Sequence, residues 1–505
     1  MMKHSREYKK LSAPTLSEPT FVETADRFDT ERPFHTDVRK QIVRDHFDTC
    51  AARREDWEQR ARAYHDDQAR YFKFLVPEGL HVLEIGSGLG SLLAALRPAR
   101  GVGIDLSPET VKKAARRYPA LEFRVDDVET LEIAETFDVI ILADVVGHLV
   151  DVEAAFRRLH QACTPQTRII VSYYNYLWEP ILRLCEMLGW KMPQPEQSWL
   201  SPEDIANLLH LADFEVVKKE RRLLLPKDIP LLSSFCNKVL AYLPGVRTLC
   251  LCHYVVARPR LRRPDRPYST TIVIPCRNER GNIDAALKRI PRFGSRQQII
   301  FVDGHSCDGT PEEIRRMMTH YPGKDIKLLV QDGKGKGDAV RKGFAHATGD
   351  VLMILDADLT MPPEDLPKFY DAIAGGKGEF INGCRLIYPM EAQAMRLLNL
   401  IGNRFFSLAF SWLLNQRIKD TLCGTKVLFR RDYERLAANR DYFGDFDPFG
   451  DFDLLFGASR LNLHIVDVPI RYQARTYGST NIQRFAHGWL LLKMTAHGFF
   501  RLKAV

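Results

Sequence analysis

The sequence has few cysteines that lie near one another. It contains 10 cysteines, but only Cys250 and Cys252 are close together in the chain. No CxxC pair and no cysteine–histidine cluster has the spacing of a zinc site, so a structural zinc site is not expected. Scattered, unpaired thiols are typical of reduced proteins, and we therefore expect a cytoplasmic location.

Long apolar runs are also missing. A membrane-spanning helix needs about 18 to 20 apolar residues in succession. The most apolar stretch, Leu397–Leu414, is interrupted by Asn399, Asn403 and Arg404. The N-terminus starts with basic residues, but no apolar segment follows them, so we do not expect it to act as a secretory signal.

The excess of basic over acidic residues is small for a chain of this length. The chain has 505 residues, with 72 Lys and Arg against 64 Asp and Glu, which gives a net charge of +8. This excess favours anionic ligands or an anionic membrane surface, and it does not indicate a nucleic-acid-binding protein. Hydrophobic residues at 45% and charged residues at 27% are ordinary for globular domains, which excludes a disordered, collagen-like or coiled-coil chain.

The first half of the chain predicts an α/β domain over residues 38–259. Residues 1–37 are polar and contain several prolines, so we expect them to be loosely ordered. A helical pattern over 38–74 comes next. Four apolar strands then follow, at 81–85, 101–104, 137–142 and 168–171. Strands that alternate with helices in this way are typical of a parallel, doubly wound sheet.

A second α/β domain is predicted over residues 269–484. Residues 260–268 belong to a basic, proline-rich run, which we interpret as a linker because proline ends helices and donates no sheet hydrogen bond. A surface loop within one domain is the alternative. New apolar strands follow at 270–274, 298–302 and 351–355. The two halves share the alternation of strands and helices but no repeated sequence motif.

Three glycines follow the first strand of the first domain and predict a nucleoside site. Glycine permits a positive φ and a close approach of the backbone to a ligand. The carboxyl end of a parallel strand is also where such sheets bind ligands. The residues of the turn are Glu84, Gly86, Gly88 and Gly90. Asp105 ends the next strand, where it can accept hydrogen bonds from ribose hydroxyls, and Asp126 and Asp127 end the third, within reach of an adenine amino group.

These motifs, together with Asp144 at the end of the 137–142 strand, resemble those of class I S-adenosylmethionine-dependent methyltransferases over about residues 64–259. The resemblance implies a Rossmann-like fold with S-adenosylmethionine as cofactor. It implies that the glycines face the methionine part, Asp105 the ribose and Asp127 the adenine. A dinucleotide-binding dehydrogenase is the alternative, but its fingerprint is GxGxxG, whereas these glycines alternate.

The acceptor side of this domain offers two candidate features. His148 could act as a general base for a hydroxyl acceptor, but we favour its interpretation as a structural histidine at a strand end. The aromatic segment 173–178 could line an acceptor pocket or belong to the core, and the sequence does not separate these two interpretations. Methyl transfer itself relies mainly on alignment, because the sulfonium is already electrophilic.

The second domain carries carboxylates at its strand ends. Asp356 and Asp358 flank one small residue after the strand at 351–355, which is a suitable arrangement for holding Mg²⁺ or Mn²⁺ on a diphosphate. Other polar blocks precede them in a fixed order, and each follows a strand or forms a turn. They are Pro275 with Asn278 and Glu279, Asp303, and the glycine–lysine turn 333–337 that contains Lys336.

This ordered set resembles family 2 glycosyltransferases of the GT-A fold, and most closely the enzymes that make polyprenyl- or dolichyl-phosphate sugars. The resemblance covers residues 269 to about 484. It includes a block over 420–426, Asp-Thr-Leu-Cys-Gly-Thr-Lys, and later Val468-Pro469-Ile470 followed by Arg475 and by Gly478-Ser479. Three positions depart from the family pattern: Gly304, Leu422 and Thr425.

The resemblance implies roles for these residues. Asp356 and Asp358 would hold the metal, and Lys426, Arg475 and Arg385 would neutralise phosphate charge, which grows on the leaving diphosphate in the transition state. The residues implied to contact the nucleotide-sugar are Pro275, Asn278, Glu279, Asp303, Lys336, Asp356 and Arg385.

Asp451 and Asp453 lie where many of these enzymes keep an acidic residue for the acceptor. A hydroxyl acceptor would need such a base. A phosphate acceptor would not, because its second pKa is about 6 and it is largely ionised at neutral pH. With a phosphate acceptor, Asp453 would only orient Lys426 or the sugar.

Two segments of the second half are rich in apolar and aromatic residues with sparse cations. One is residues 396–417, and the other is the C-terminal tail, 485–505, which is amphipathic. Either could be an interfacial helix on a membrane or an ordinary packing helix, and the sequence leaves both open.

The sequence as a whole predicts a bifunctional enzyme with catalytic residues Asp451, Asp453, Lys426 and Arg475 in its glycosyltransferase half. That half would transfer a sugar, with inversion and with a divalent metal, from a nucleotide-sugar to a polyprenyl phosphate or similar acceptor. We expect a cytoplasmic protein with peripheral contact to the inner face of the membrane. The alternatives are a soluble glycosyltransferase acting on a hydroxyl of a glycan or small molecule that the other half also modifies, and a chain in which one domain is a non-catalytic binding module.

Overall fold

The computed structural model describes residues 33–261, 266–387, 397–440, 450–473, 475, 477 and 484–503. Most of the segment expected to be loosely ordered lies outside these residues, but a helix already begins at Pro33, before the expected boundary at residue 38. Gly478 and Ser479 also lie outside the described residues. The described chain forms two seven-stranded sheets, and the predicted α/β class is confirmed.

The first sheet has the order β3-β2-β1-β4-β5-β7-β6. Its strands are β1 (His81–Ile85), β2 (Arg100–Asp105), β3 (Glu122–Val125), β4 (Phe137–Ala143), β5 (Cys163–Tyr174), β6 (Phe214–Arg222) and β7 (Cys252–Pro259). Only β7 runs against the others, since it pairs antiparallel with both β5 and β6. The sheet is therefore mixed, whereas the sequence pattern indicated a purely parallel one.

Helices cover the first sheet and include an N-terminal group of three. The helices are α1 (Pro33–Cys50), α2 (Arg54–Arg60), α3 (Arg62–Leu75), α4 (Ser91–Ala95), α5 (Pro108–Arg117), α6 (Val152–Leu159), α7 (Glu179–Met187), α8 (Pro202–Leu211) and α9 (Leu232–Lys238). Local chemistry fixes several of their starts. Ser107 caps α5 by accepting from the Thr110 amide, and Ser201 with Asp204 forms a capping box on α8, which satisfies amides that the helix leaves unpaired.

The second sheet has the order β10-β9-β8-β11-β13-β12-β14. Its strands are β8 (Thr270–Cys276), β9 (Gln297–Asp303), β10 (Asp325–Val330), β11 (Val351–Ile354), β12 (Phe380–Cys384), β13 (Lys426–Phe429) and β14 (Ile465–Pro469). Only β13 is reversed, because it pairs antiparallel with β11 and β12. The start of β13 therefore lies at the same edge as the ends of its neighbours.

The described helices of the second domain include two long ones that pack together. They are α10 (Ile283–Arg289), α11 (Thr310–His320), α12 (Lys336–Ala345), α13 (Leu366–Ala374), α14 (Leu397–Leu414), α15 (Arg430–Ala438), α16 (Asp451–Arg460) and α17 (Arg484–Leu502). Trp412 of α14 and Phe499 of α17 stack with ring centroids 5.7 Å apart. Within the described residues, none of the helices has the length and apolar character needed to traverse a bilayer.

The two domains share a buried polar interface. Arg168 of β5 donates to both carboxylate oxygens of Glu379, which precedes β12, at 2.7 Å each. Both side chains are buried. The fully buried Arg258 of β7 lies 3.6 Å from the same carboxylate, and Asn462 donates to the Leu75 carbonyl of the first domain. A charged group buried this deeply needs a partner, so each domain completes the charge pairing of the other.

Candidate active sites

The glycine turn of the first domain has the conformation that its sequence predicts. Gly86, Gly88 and Gly90 have φ values of 71°, 54° and 75°, in the left-handed region that disfavours side chains. A methyl group on Gly86 would overlap Val145, and one on Gly88 would overlap the guanidinium of Arg54. Val145 and Arg54 therefore pack directly against the turn, and only glycine fits at these two positions.

Asp105 joins the end of β2 to this turn. Its carboxylate accepts from the Gly88 amide at 2.9 Å and from the Ser107 amide at 3.0 Å. Two amide donors fix the position of the carboxylate. The side chain lies at the edge of the sheet beside the turn, which is the position that the resemblance implies for a ribose contact.

Asp127 is covered by the first helix. Lys40 of α1 donates to Asp127 at 2.5 Å and lies 3.0 Å from Glu129. Burial acts to lower the pKa of Lys40, but its hydrogen bonds to both carboxylates outweigh burial and raise that pKa. The sequence analysis did not identify Lys40, because a lone lysine in a polar helix carries no pattern that indicates a contact some 87 residues away.

Several buried polar atoms around the turn have no hydrogen-bond partner among the described residues. They are Glu84 Oε2, Ser87 Oγ, Asp144 Oδ1 and His148 Nδ1. Such orphaned atoms are uncommon in folded proteins and mark a place where a ligand or water completes the bonding. Carboxylates together with a hydroxyl and an imidazole suit a ligand with both charges, such as the amino-acid part of S-adenosylmethionine. The residues present therefore fit this cofactor.

Burial dominates the protonation of Glu84. It raises the pKa of this carboxyl from 4.5 to about 8, because a charged carboxylate loses its water shell there. Asp144 is also buried and its pKa is raised for the same reason, although Tyr64 and Gln68 donate to it at 2.5 and 2.9 Å. Tyr64 and Gln68 come from α3, and the sequence analysis did not identify either as a site residue.

The candidate residues on the acceptor side, His148 and the segment 173–178, have different environments in the structure. Burial lowers the pKa of His148 to about 4, so its imidazole is neutral near pH 7 and is a weak base. Tyr173 is buried and donates to the Ser198 carbonyl at 2.7 Å, as a core residue does. Tyr176 and Leu177 are exposed, so the segment 173–178 is core in its first part and surface in its second.

The site residues of the second domain meet at one edge of its sheet. Pro275 and Asp303 end β8 and β9, Asp356 follows β11, and Arg385 follows β12. Lys426 begins the reversed strand β13 and faces Asn382 in the pairing register. The chain reversal at β13 thus places the lysine beside the carboxylates.

An alternating row of charges crosses this edge. Lys336 lies 2.6 Å from Asp356, and Arg475 lies 2.8 Å from Asp358 and 3.3 Å from Glu279. Burial acts to lower the pKa of Lys336, but the Asp356 and Asp451 charges outweigh it and raise the pKa. Burial likewise acts to lower the pKa of Arg475, but Asp358 and Glu279 oppose this effect and raise the pKa, so both cations keep their positive charge in this partly buried cleft.

Asp356 and Asp358 are the candidate metal ligands. Among the described residues, no group of three or more His, Cys, Asp or Glu side chains could hold a metal ion. Mg²⁺, however, is usually bound through one or two carboxylates plus substrate phosphates. Two carboxylates on one edge, separated by Ala357, fit that mode of binding, in which a bound diphosphate supplies the remaining oxygens.

The backbone of Gly424 lies directly against the charged side chains of this cleft. A side chain at Gly424 would overlap the Asp356 carboxylate and the Lys336 ammonium, so only glycine lets the 420–426 block approach the charged row. Within the same block, Asp420 holds Arg385 through two bonds of 2.7 and 2.8 Å. The fully buried Lys426 donates to the Cys423 carbonyl and lies 3.8 Å from Asp451. Arg385 and Lys426 thus each have a fixed internal partner.

The predicted nucleoside contacts lie on two neighbouring loops, after β8 and after β9, which hydrogen-bond to each other. Asn278 has a φ of 57°, and its side chain accepts from the Cys307 amide at 2.9 Å. Asp303 accepts from the Ser306 amide at 3.1 Å, while its buried Oδ1 has no partner among the described residues. Glu279 accepts from Asn282 at 2.7 Å. One oxygen of Asp303 therefore remains available to a ligand.

The candidate base is engaged by a cation. Arg440 donates to Asp453 at 3.0 Å, and both side chains are largely buried. The ion pair holds the Asp453 carboxylate against the guanidinium of Arg440. The structure thus brings Asp451 close to Lys426 but places Asp453 against Arg440.

Two family models match separate parts of the chain. Residues 57–219 match a family described as "Methyltransferase domain", and residues 271–436 match "Glycosyl transferase family 2". A dolichyl-phosphate hexose transferase of Haloferax volcanii is 30% identical over 218 residues, which are 43% of this chain and 88% of that protein. A dolichol-phosphate mannosyltransferase of Pyrococcus furiosus is 39% identical over 108 residues, which are 21% of this chain and only 30% of that protein.

A structural comparison matches the first domain. The crystal structure of a magnesium protoporphyrin IX methyltransferase of Synechocystis with bound SAH is 20% identical, with a TM-score of 0.33, and the match covers 44% of this chain and 99% of that one. The chain belongs to glycosyl transferase family 2 and carries a methyltransferase-family domain ahead of its glycosyltransferase domain.

Proposed function

We propose that the chain is a bifunctional enzyme that transfers a sugar from a nucleotide-sugar to a polyprenyl phosphate and also transfers a methyl group from S-adenosylmethionine. The charged row of Lys336, Asp356, Asp358, Arg475 and Glu279 carries the first part of the proposal. It lies at the ligand-binding edge of a domain that resembles dolichyl-phosphate hexose transferases over 88% of the Haloferax relative's length.

Residues of the charged row and of the neighbouring strand ends have distinct roles in this proposal. The free oxygen of Asp303, together with Pro275 and Asn278, binds the nucleoside. Asp356 and Asp358 hold a divalent ion, which when bound neutralises diphosphate charge. Lys336 and Arg475 exchange their carboxylate partners for phosphate oxygens as negative charge grows on the leaving diphosphate. Preorganised cations of this kind act more strongly in a partly buried cleft than in water.

The engagement of Asp453 by Arg440 supports a phosphate acceptor. A phosphate oxygen is already ionised near neutral pH and attacks without losing a proton, whereas a hydroxyl needs a base. We therefore expect Asp453→Asn to lower sugar transfer to a short isoprenyl phosphate by less than about tenfold. Glu434→Gln, in an exposed carboxylate of the same domain, is the control. A loss of about a hundredfold or more in Asp453→Asn would instead support the hydroxyl-acceptor alternative.

The methyltransferase half of the proposal is carried by the orphaned polar atoms around the glycine turn. The turn and Asp105 position the cofactor, and alignment with the acceptor then supplies most of the rate. Glu84 is placed to pair with the cofactor's ammonium group. His148, with its low pKa, orients groups in the cleft rather than removing a proton from the acceptor.

The metal assignment has its own test. Asp358→Asn should abolish sugar transfer, because it removes a metal oxygen and the partner of Arg475. It should leave the affinity for S-adenosylhomocysteine unchanged, because that site belongs to the other domain. EDTA should have the same selective effect on the wild-type protein. If sugar transfer survives both the substitution and EDTA, the metal role of Asp358 is wrong.

A further inference from the structure

Exposed apolar side chains are concentrated in two segments of the methyltransferase domain. The first is residues 176–190, which include α7, and the second is residues 229–249, which include α9; together we call them the apolar rim. Its most exposed side chains include Leu231 at 88%, Met187 at 83% and Trp190 at 63%. Contiguous exposed apolar surface on a folded protein usually marks an interaction site.

In helix α7 the exposed apolar side chains lie on the sides that face away from the domain. Leu182 is buried and anchors the helix to the domain, while Ile181, Leu184 and Met187 on its other sides are exposed. A surface helix of a globular protein normally presents polar residues to water. The outer face of α7 therefore suits an apolar or interfacial environment.

The backbone conformation of Leu231 is a second, independent indication of an interaction site. It has a φ of 65° and a ψ of −45°, a region that bulky residues rarely adopt and that is usually retained for function. Because its side chain is almost completely exposed, packing inside the domain does not offset the free-energy cost of this backbone conformation. The turn before α9 thus holds a leucine out into the surroundings.

The two segments of the rim lie side by side. The Trp178 indole donates to the Leu249 carbonyl at 2.8 Å. At the other end, the Lys227 ammonium lies over the Trp190 ring, 5.8 Å from its centroid. The rim is therefore one surface rather than two separate patches.

The rim continues onto the glycosyltransferase domain. The Trp412 indole of α14 donates to the Tyr242 carbonyl at 3.1 Å, and Phe499 of α17 packs edge-on against the Tyr242 ring. Next to these contacts, α14 and α17 expose Leu408 and Phe500. The exposed apolar side chains of α14 and α17 therefore lie near the second rim segment, across the contact between the two domains.

Basic residues outnumber acidic ones on this surface, mainly because of α14 and α17. Helices α14 and α17 contain no Asp or Glu, while Lys493 and Arg501 lie on α17. The two rim segments and residues 227–228 beside them contain four basic residues and three acidic ones, which are Arg183, Lys227, Lys238 and Arg247 against Glu179, Glu186 and Asp228. Exposed apolar and aromatic side chains with cations among them are what anionic lipid headgroups and the acyl boundary recognise.

The rim also borders the methyltransferase cleft. The chain that follows α7 crosses over the methyltransferase cleft. The Ser198 amide donates to the Gly147 carbonyl at 2.8 Å, and His46 of α1 contacts the Pro193 carbonyl at 3.0 Å. Both β5 and β6 end at the cofactor edge of the sheet, and the rim segments follow these two strands. The acceptor side of the cleft therefore opens next to the rim.

We propose that the apolar rim docks the methyltransferase domain on an anionic lipid bilayer, with the acceptor side of its cleft next to the membrane surface. The inference rests on the proposed function in one respect: a lipid-phosphate acceptor brings the glycosyltransferase domain to the same bilayer. The rim and the exposed face of α14 and α17 then contact the membrane together. Both active sites thus work at one lipid surface.

Flotation of the full chain with vesicles tests the docking. Phosphatidylcholine vesicles containing phosphatidylglycerol should bind the protein more tightly than phosphatidylcholine alone, and salt should weaken binding because it screens the cations. Leu231→Asp with Phe235→Asp should reduce vesicle binding by about tenfold or more, because two apolar side chains no longer enter the bilayer. Met187→Asp should act in the same direction.

Matched controls separate the rim from general surface effects. Leu211→Asp and Met318→Asp change exposed apolar residues outside the rim and should leave vesicle binding unchanged. Sugar transfer to a short, soluble isoprenyl phosphate should be unchanged in every variant that keeps the wild-type thermal stability. Rim variants that bind vesicles like the wild type would overturn the docking.

Two further outcomes distinguish the docking from its alternatives. If the wild type transfers sugar to the soluble acceptor but ignores anionic vesicles, the docking fails and the proposed function stands. If it binds vesicles through the rim but transfers no sugar, the proposed function fails and the docking stands. If sedimentation shows a dimer that the rim variants dissociate, and vesicles do not bind, the rim is a contact between copies and the docking is overturned.

Discussion

The charge of Glu84 in the cofactor cleft depends on the burial of its carboxyl group. Its pKa is raised from 4.5 to about 8 in the folded chain. Between these pH values the folded chain binds more protons than the unfolded chain, so the free energy of unfolding should fall as pH rises. We predict that Glu84→Gln removes this fall in the ligand-free protein, as measured by melting temperature between pH 5 and 8. Identical pH profiles for both proteins would contradict this role of burial.

Asp105 supports a second prediction at this scale. Its carboxylate holds the Gly88 amide and lies where a ribose is expected. Asp105→Ala should weaken S-adenosylhomocysteine binding by about tenfold or more, because a hydrogen bond to a charged acceptor contributes about 1.5–3 kcal/mol. Calorimetry measures this directly. Glu132→Ala, which removes an exposed carboxylate of the same domain, should bind as the wild type does, and equal losses in both would contradict the prediction.

The sequence could predict single residues only where strand ends mark them. Asp105 and Asp303 end apolar strands, so their positions follow from the strand pattern. Lys40, Arg54 and Tyr64 come from helices that pack over the cleft, and no local pattern marks which face of a polar helix meets a distant carboxylate. Such residues became visible only once the chain had folded.

At the scale of elements, the 420–426 block depends on one glycine. A methyl group at Gly424 would overlap Asp356 and Lys336, so Gly424→Ala should displace the charged row. We predict a loss of sugar transfer of about a hundredfold or more, since displacements of about 1 Å at a site cost this much. S-adenosylhomocysteine affinity should not change. Gly323→Ala, at a glycine that faces open space, is the control, and near-normal transfer by Gly424→Ala would contradict the assignment.

Strand identity was easier to predict than strand direction. The central strands β1, β4, β8 and β11 are buried on both faces, and their continuous apolar runs are clear in the sequence. The direction of β7 and β13 depends on how the preceding loops cross the sheet, which no residue pattern records. The edge strand β6 carries Lys218, Lys219 and Glu220, so it does not resemble a buried strand.

The two apolar segments left open by the sequence are helices that pack and also expose apolar side chains. Helix α14 buries Phe410 and exposes Leu408, while α17 buries Met494 and exposes Trp489. A helix with one buried face needs a polar opposite face to remain purely structural. The packing interpretation is therefore correct for one face of each helix, and the interfacial interpretation stays a prediction for the other.

At the scale of the whole molecule, the buried Arg168–Glu379 pair joins the domains. Arg168→Met should leave the Glu379 carboxylate under-compensated and lower the free energy of unfolding by about 3–5 kcal/mol. Arg289→Met, which breaks the more exposed pair with Glu364, should lower it by about 1 kcal/mol or less. Denaturant unfolding monitored by tryptophan fluorescence compares the two, and equally small effects would contradict a shared, charge-paired interface.

Transfer of a labelled sugar from nucleotide-sugars to a short isoprenyl phosphate is the most direct test of the proposed activity. The wild-type chain should move the label into the isoprenyl phosphate, which is recovered by organic extraction. Asp358→Asn should move none while keeping the wild-type affinity for S-adenosylhomocysteine. Label that appears only on a soluble hydroxyl acceptor, or equal transfer by Asp358→Asn and the wild type, would contradict a metal-assisted transfer to a lipid phosphate.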